Sequence, residues 1–175
     1  MKQNVDLSQQ ERNAAQNDSS EKHLTFYIDG QLFALNSGLI AEIVRIQPIT
    51  LMPKLPPYVK GVINLRGKIV PLIDLRLKLG KSALEYNEQT SIVVTQTDDA
   101  LIGLIVDSVD DVTDIAEGDV NTAPISGREQ NNRFVSGIVT LTKGPAMVLN
   151  LDAILTETDD HKLPNRQEPS EAAAG

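Results

Sequence analysis

The chain has 175 residues, a net charge of −8 and no cysteine. The lack of cysteine excludes disulfides, thiolate catalysis and thiolate metal sites and favours a cytosolic chain, and no segment approaches the roughly 18 consecutive apolar residues of a membrane span. Hydrophobic residues make up 41% of the chain and aromatic residues only 3%, so Val, Ile and Leu must form the core, which favours β-sheet.

The first predicted elements follow a polar stretch. Residues 1–22 are rich in Gln, Asn, Ser and charge, which predicts a disordered tail. Residues 24–35 hold two apolar runs around Asp29-Gly30, a strong hairpin signal. Residues 38–44 are ambiguous between strand and helical turn, and the four prolines within 48–57 predict a connection.

Residues 58–77 form the stretch around which the chain is organised. They read as two strands with a tight turn at Arg66-Gly67, where glycine can take a positive φ. Residues 69–75 are apolar on nearly both faces, so this strand should be covered on both sides and lie between two packed units. Because Pro71 cannot donate to a ladder, its position should be an edge or a bulge.

The second half repeats this order of elements. A hairpin is predicted at 91–106, a polar connection at about 113–132, a final hairpin at 134–151 and a short helix at 152–155. Residues 159–175 should form a second disordered tail.

Residues 61–75 align with residues 137–151, which indicates an internal duplication. The equivalent pairs include Gly61 with Gly137, Asp74 with Asn150, and Glu42 with Asp111. Two similar units of short strands suit small closed barrels, which leave no exposed edges.

The residues needed for catalysis or metal binding are scarce. The only histidines, His23 and His161, flank the predicted core and should be solvated. The acids of residues 107–114 lack the ligand spacing and central glycine of a calcium loop, so a solvated strand end is expected. Since there is also no Gly-rich phosphate loop and no zinc spacing, we expect neither an enzyme nor a cofactor.

The charge is divided along the chain. Residues 45–81 carry eight bases and one acid, whereas residues 98–119 carry eight acids and no base. These are either two solvated faces or two surfaces for different partners or self-association. Nucleic-acid binding is a rival interpretation of the basic stretch, but Tyr58 is its only aromatic residue, and single-strand binders need stacking platforms.

Residues 57–76, P-Y-V-K-G-V-I-N-L-R-G-K-I-V-P-L-I-D-L-R, resemble the signature of the CheW family, the coupling proteins of bacterial chemotaxis. The resemblance extends over about residues 24–157. It implies an all-β fold of two similar SH3-like five-stranded β-barrel subdomains packed together, with short helices. The domain would span 23–158, with halves of about 23–90 and 91–158, and exchange of the C-terminal strands between the halves is an open alternative.

The resemblance implies a non-enzymatic adaptor in the cytoplasm at membrane receptor arrays. Its partners would be the regulatory domain of the histidine kinase CheA, the cytoplasmic hairpin tip of chemoreceptors (methyl-accepting chemotaxis proteins) and other CheW-like domains, with no nucleic acid and no membrane insertion. A CheW-like paralogue serving a pilus or surface-sensing kinase is an open alternative, because fold and groove would be shared.

Four residues match the receptor-binding positions of the family. Arg66 matches the arginine of the N-L-R-G motif, Ile40 and Glu42 match positions near the receptor groove, and Val109 matches a valine beside it. Without the resemblance, Arg66 and Glu42 would read as surface charges and Ile40 as core. The kinase-binding surface carries no motif that can be read from the sequence.

Overall fold

The computed structural model describes residues 19–122 and 132–156, which form ten strands and two short α-helices. The strands are β1 (Ser20–Ile28), β2 (Gln31–Asn36), β3 (Ile40–Arg45), β4 (Val59–Leu65), β5 (Lys68–Asp74), β6 (Ser91–Gln96), β7 (Leu101–Val106), β8 (Ser108–Ala116), β9 (Val135–Leu141) and β10 (Gly144–Leu149). The helices are α1 (Leu75–Lys78) and α2 (Leu151–Thr156). In the described ranges, neither helix is long and apolar enough to cross a membrane.

The strands form two five-stranded sheets, in agreement with the predicted all-β fold. Sheet 1 has the order β8-β1-β2-β10-β9, and sheet 2 has the order β3-β6-β7-β5-β4. The pairs β2–β10 and β5–β7 are parallel, and every other pair is antiparallel. With respect to the predicted halves 23–90 and 91–158, the last three strands of each half join the first two strands of the other.

Each sheet curls until its edges meet. Thr50, which follows edge strand β3, exchanges two backbone hydrogen bonds of 2.9 Å with Val62 in β4, the opposite edge. Asn121, which follows edge strand β8, does the same with Ile138 in β9, at 2.8 and 3.0 Å. Both sheets are therefore small barrels, closed at equivalent places by the segment that leaves the edge strand.

Three apolar cores hold the fold together. Sheet 1 encloses Leu32, Ala34, Ile115, Val139, Ala146 and Val148, and sheet 2 encloses Ile63, Val70, Leu72, Ile92, Val94 and Ile105. A larger cluster, the inter-sheet core, includes Phe26 and Phe33 from sheet 1 and Val93 and Leu104 from sheet 2. Strand β5 gives Leu72 to the sheet 2 interior and Ile73 to the inter-sheet core, which confirms that it is covered on both sides.

The expectation that Pro71 lies at an edge or a bulge is wrong. Strand β5 pairs with β4 on one side and β7 on the other, and Pro71 lies opposite Val62. Because both backbone groups of Val62 bond to Thr50, Val62 and Pro71 form a pair without mutual hydrogen bonds. The parallel ladder with β7 begins one residue later, at Leu72, so the missing N–H costs the sheet little.

The expectation that His23 is solvated is also wrong. Strand β1 begins at Ser20, three residues before the predicted domain start, and its first residues pair with the end of β8, as Ser20 does with Ala116. His23 lies between β2 and β8 and is only 7% exposed. His161, residues 1–18 of the predicted N-terminal tail and the whole predicted C-terminal tail, 159–175, lie outside the described residues.

Candidate functional site

The β4–β5 hairpin presents Arg66 at its tip. Arg66 and Gly67 have φ of 54° and 82°, so both central residues of this two-residue turn are left-handed, as a type I′ hairpin requires. The Gly67 N–H donates to Asn64 Oδ1 at 2.9 Å, which fixes the turn. The predicted turn is confirmed, and it leaves the Arg66 side chain 81% exposed.

Arg66 forms an ion pair with Glu42 on edge strand β3. Arg66 Nη2 lies 3.3 Å from Glu42 Oε2, and the Glu42 side chain is 28% exposed. Exposed pairs of this kind contribute about 0–1 kcal/mol to stability. The pair therefore contributes little to folding, and its charges are accessible to a partner.

A cleft of about 430 Å³ opens beside this pair. It is bounded by β3, the β4–β5 hairpin and the β6–β7 turn, all of sheet 2, so it does not lie between the two barrels. The lining residues are Ala41, Glu42, Leu65, Arg66, Lys68, Gln96, Asp98, Asp99, Ala100 and Leu101.

Ile40 and Val109 lie elsewhere, at the seam between the two sheets. Neither lines the cleft, and both are half-buried and pack against the inter-sheet core. Each precedes a β-bulge: Ala41 is the extra residue in β3, and Asp110 is the extra residue in β8. A bulge re-aims the strand, so Ile40 can reach the inter-sheet core while Val44 packs inside sheet 2.

The duplication extends to this site. Ile40 and Val109 are equivalent residues, and so are the bulges that follow them. In sheet 1, Asp110 pairs with Lys143 in the β9–β10 turn, with Nζ 2.7 and 2.9 Å from the two carboxylate oxygens. Each barrel therefore carries an ion pair between its edge strand and a hairpin tip, although the acid of sheet 1 stands one residue before Asp111, the residue that aligns with Glu42.

The pair in sheet 1 predicts a pH-dependent contribution to stability. The hydrogen bond from Lys143 lowers the pKa of Asp110 below its ordinary value of 3.8, and Thr25 Oγ1, which donates at 2.9 Å, acts in the same direction. A lowered pKa means that the contribution is complete above the unfolded value and is lost as pH falls through the folded one.

We therefore expect Asp110→Asn to lower the free energy of unfolding by about 1 kcal/mol near neutral pH. The difference from wild type should shrink as the pH falls below about 4, because the carboxylate of the unfolded chain then takes up a proton that the lowered pKa disfavours in the folded protein. Urea unfolding of both proteins between about pH 7 and pH 3 measures this difference in the free energy of unfolding. A difference that stays constant over this range would contradict the assignment.

Two residues of the basic stretch are buried, which the sequence did not show. Arg76 is bonded to Asp107, and Lys78 Nζ lies 4.0 Å from the centroid of the Tyr58 ring. Both residues closely follow the buried strand β5, which is only a weak sequence signal that they are buried. Their partners could not be recognised from the sequence, because they are distant in sequence or aromatic. Fewer of the eight bases of residues 45–81 are therefore exposed than the sequence suggested, which weakens the nucleic-acid interpretation.

Among residues 19–122 and 132–156, no group of three or more His, Asp or Glu side chains is placed to hold a metal ion. The acids of 107–114 are divided instead between separate partners. Asp107 accepts from Arg76, Asp110 from Lys143, and Asp114 lies 3.5 Å from Lys22.

Comparison with known proteins identifies the family. Residues 22–159 match the family profile of the CheW-like domain. The chain is 31% identical over 144 residues to the chemotaxis protein CheW of Rhizobium meliloti, covering 78% of this chain and 93% of that protein. It is 33% identical over 84 residues to the protein PilI of Pseudomonas aeruginosa, covering 48% of this chain and 47% of PilI.

The fold agrees with that assignment. The crystal structure of the scaffolding protein TtCheW from Thermoanaerobacter tengcongensis superposes with a TM-score of 0.70 at 29% identity, covering 77% of this chain and 87% of that one. The profile match spans most of the chain, and the two barrels are those expected of the family. The chain therefore belongs to the CheW family.

Proposed function

We propose that this protein is a non-enzymatic adaptor that couples chemoreceptors to the histidine kinase CheA in chemotaxis arrays on the cytoplasmic side of the membrane. Family membership supports the general role. The observation that carries the receptor part is the Glu42–Arg66 pair, 3.3 Å apart and accessible, with Glu42 two residues along β3 from Ile40 at the seam. No cofactor is needed for such a role.

The receptor would dock as a helical hairpin along the seam. Ile40 and Val109, half-buried on either side of the inter-sheet core, would supply apolar contacts. Glu42 and Arg66 would supply charges of both signs at one end. Apolar contacts inside and charges at the rim are the usual arrangement of a helix-in-groove interface.

The kinase regulatory domain would bind a different surface of sheet 2. Leu51 is 77% exposed and lies next to Thr50, the residue that closes the barrel. Met52, beside it, is also exposed. Large apolar side chains this accessible mark interaction sites when they cluster, and we assign this end of the barrel to the kinase.

The test is a pair of binding titrations against the kinase regulatory domain and a receptor tip fragment from the same organism. We expect saturable binding to both, and Leu51→Asp should weaken kinase binding at least about tenfold, or about 1.4 kcal/mol, without changing receptor binding. Leu84→Asp is the matched control, since Leu84 is another exposed leucine, in the segment that connects α1 with β6. If Leu51→Asp binds the kinase domain as tightly as the unaltered chain does, the assignment of this surface to the kinase is wrong.

The likeness to PilI supports a second candidate, an adaptor for a pilus-type kinase. The same titrations, run in parallel with the regulatory domains of the flagellar and the pilus-type kinases, separate the two. Tighter binding to the pilus-type kinase would assign the protein to that pathway instead of chemotaxis, and its role as an adaptor would stand.

A further inference from the structure

Arg76, in helix α1, is a buried guanidinium where the two sheets meet. Its side chain is only 10% exposed. Nε donates to the carbonyl oxygen of Ser82 at 2.9 Å, Nη1 to Asp107 Oδ2 at 2.5 Å and Nη2 to Asp29 Oδ1 at 3.3 Å. Three separate segments of the chain therefore converge on one side chain.

The acceptors of Arg76 lie on both sides of the junction. Ser82 follows α1, which leaves sheet 2, whereas Asp29 forms the β1–β2 turn of sheet 1. Asp107 is the single residue between β7 of sheet 2 and β8 of sheet 1. It is held to sheet 1 by its N–H, which donates to the Tyr27 carbonyl at 3.1 Å, and by its carboxylate, which accepts from the Asp29 N–H at 2.8 Å.

We propose that Arg76 is a positioning residue that fixes the angle between the two sheets and thereby the seam formed by Ile40 and Val109. The second part rests on the proposed receptor docking. Val109 lies in β8, two residues after Asp107, so a displacement of Asp107 moves Val109 relative to sheet 2. Ile40 belongs to sheet 2 and stays with Arg76.

The reason for assigning this role to an ionic contact is directionality. The inter-sheet core is apolar, and apolar burial is non-directional, so it holds the sheets together more strongly than it sets their angle. A guanidinium has donors in a rigid planar fork, which fixes the direction of each bonded carboxylate. Without it, the carboxylates of Asp29 and Asp107 would lose the cation that they share, and Lys81, 3.5 Å from Asp29, would remain as a neighbouring cation.

Two variants and two matched controls isolate the contact. Arg76→Gln removes the cation, and Asp29→Asn removes one acceptor charge while keeping a residue that tolerates the φ of 54° in an Asn-Gly turn. The controls are Lys22→Gln and Asp114→Asn, which break an ion pair of 3.5 Å between β1 and β8 within sheet 1.

The sheet angle can be measured directly, because the chain has no cysteine. Cysteines replacing Ile69 in β5 and Thr140 in β9, two exposed strand positions on different sheets, take nitroxide labels for electron–electron double resonance. We expect one narrow distance distribution in the otherwise unaltered chain and in both controls. It should be about twofold broader in Arg76→Gln, and less broadened in Asp29→Asn.

The same proteins are then titrated with the receptor tip fragment and the kinase regulatory domain. Broadening with about tenfold weaker receptor binding and retained kinase binding supports the proposal. An unchanged distribution in Arg76→Gln overturns it, and if that variant does not fold, an unchanged distribution in Asp29→Asn does so. Broadening with full receptor binding overturns the link to docking. Failure of the unaltered chain to bind the fragment defeats the proposed function, while the distances still decide the role of Arg76.

Discussion

Gly61→Ala should destabilise the protein by about 3 kcal/mol or more, the sum of overpacking and backbone strain of about 1–3 kcal/mol each. A Cβ on Gly61 would lie 2.1 Å from the carbonyl oxygen of Thr50, a backbone atom that helps to close the barrel by accepting from the Val62 N–H. Gly61 also has a φ of +138°, which L residues rarely adopt. Urea unfolding of the variant and the wild type measures the loss.

Other glycines form a graded control series. In sheet 1, the equivalent Gly137→Ala should cost less, because its Cβ would meet Val120 Cγ1 at 2.5 Å, a side-chain atom, and the Asn121 carbonyl oxygen at 2.8 Å, and its φ is ordinary. Gly67→Ala has open space but a φ of +82° and should cost about 1 kcal/mol. Gly118→Ala has open space and an ordinary φ and should change stability by less than about 0.5 kcal/mol. A Gly61→Ala loss no larger than that of Gly67→Ala would show that Thr50 can yield and that barrel closure is not rigid.

Arg66→Glu should weaken binding of the receptor tip fragment by at least about tenfold, or about 1.4 kcal/mol. The change places a carboxylate beside Glu42, so the proposed receptor site would present two negative charges where the unaltered protein presents one of each sign. Because Arg66 is at an exposed turn, the free energy of unfolding should change by only about 0.5 kcal/mol. Calorimetric titration and urea unfolding measure the two quantities separately.

The controls for Arg66 separate its charge from the ion pair. The double variant Glu42→Arg/Arg66→Glu restores an ion pair with the two charges exchanged. It should not restore receptor binding, because the proposed docking depends on which position carries which charge. Lys143→Gln breaks the ion pair with Asp110 in sheet 1 and should leave receptor binding unchanged. Full rescue of receptor binding by the double variant would show that the ion pair only maintains the shape of the hairpin. A large loss of stability in Arg66→Glu would show that Arg66 has a structural role.

Local chemistry predicted the hairpins well. Asp29-Gly30 and Arg66-Gly67 were predicted as tight turns from residue type, and in both turns the two central residues have positive φ. The internal duplication was equally readable. Asp74 and Asn150, aligned by sequence, both accept a hydrogen bond from the N–H three residues later and so begin equivalent helices.

The assembly of the hairpins into sheets was not readable in the same way. The parallel pairing of Leu72 with Gly103 joins strands from different halves, and periodicity within a strand does not report its neighbours. The bulges at Ala41 and Asp110 shift which side chains face the inter-sheet core. For this reason Ile40 and Val109 could be named from the family resemblance, but the cleft beside Glu42, which lies on sheet 2 alone, was not predicted.

Arg76 shows the same limit at the level of one side chain. It was counted with the basic surface, yet its acidic partners lie 31 and 47 residues away in sequence. Burial of a cation depends on partners brought close by the fold, and composition along the chain does not report them.

The most direct test of the central claim is whether the chain binds receptor and kinase at the same time. The measurement is sedimentation velocity of the labelled kinase regulatory domain with the receptor tip fragment, in the presence and absence of this protein. A faster-sedimenting species that contains all three components, and that forms only when this chain is added, is the predicted result. Binding of the two partners only in competition would contradict an adaptor role, because one surface could not then bridge them.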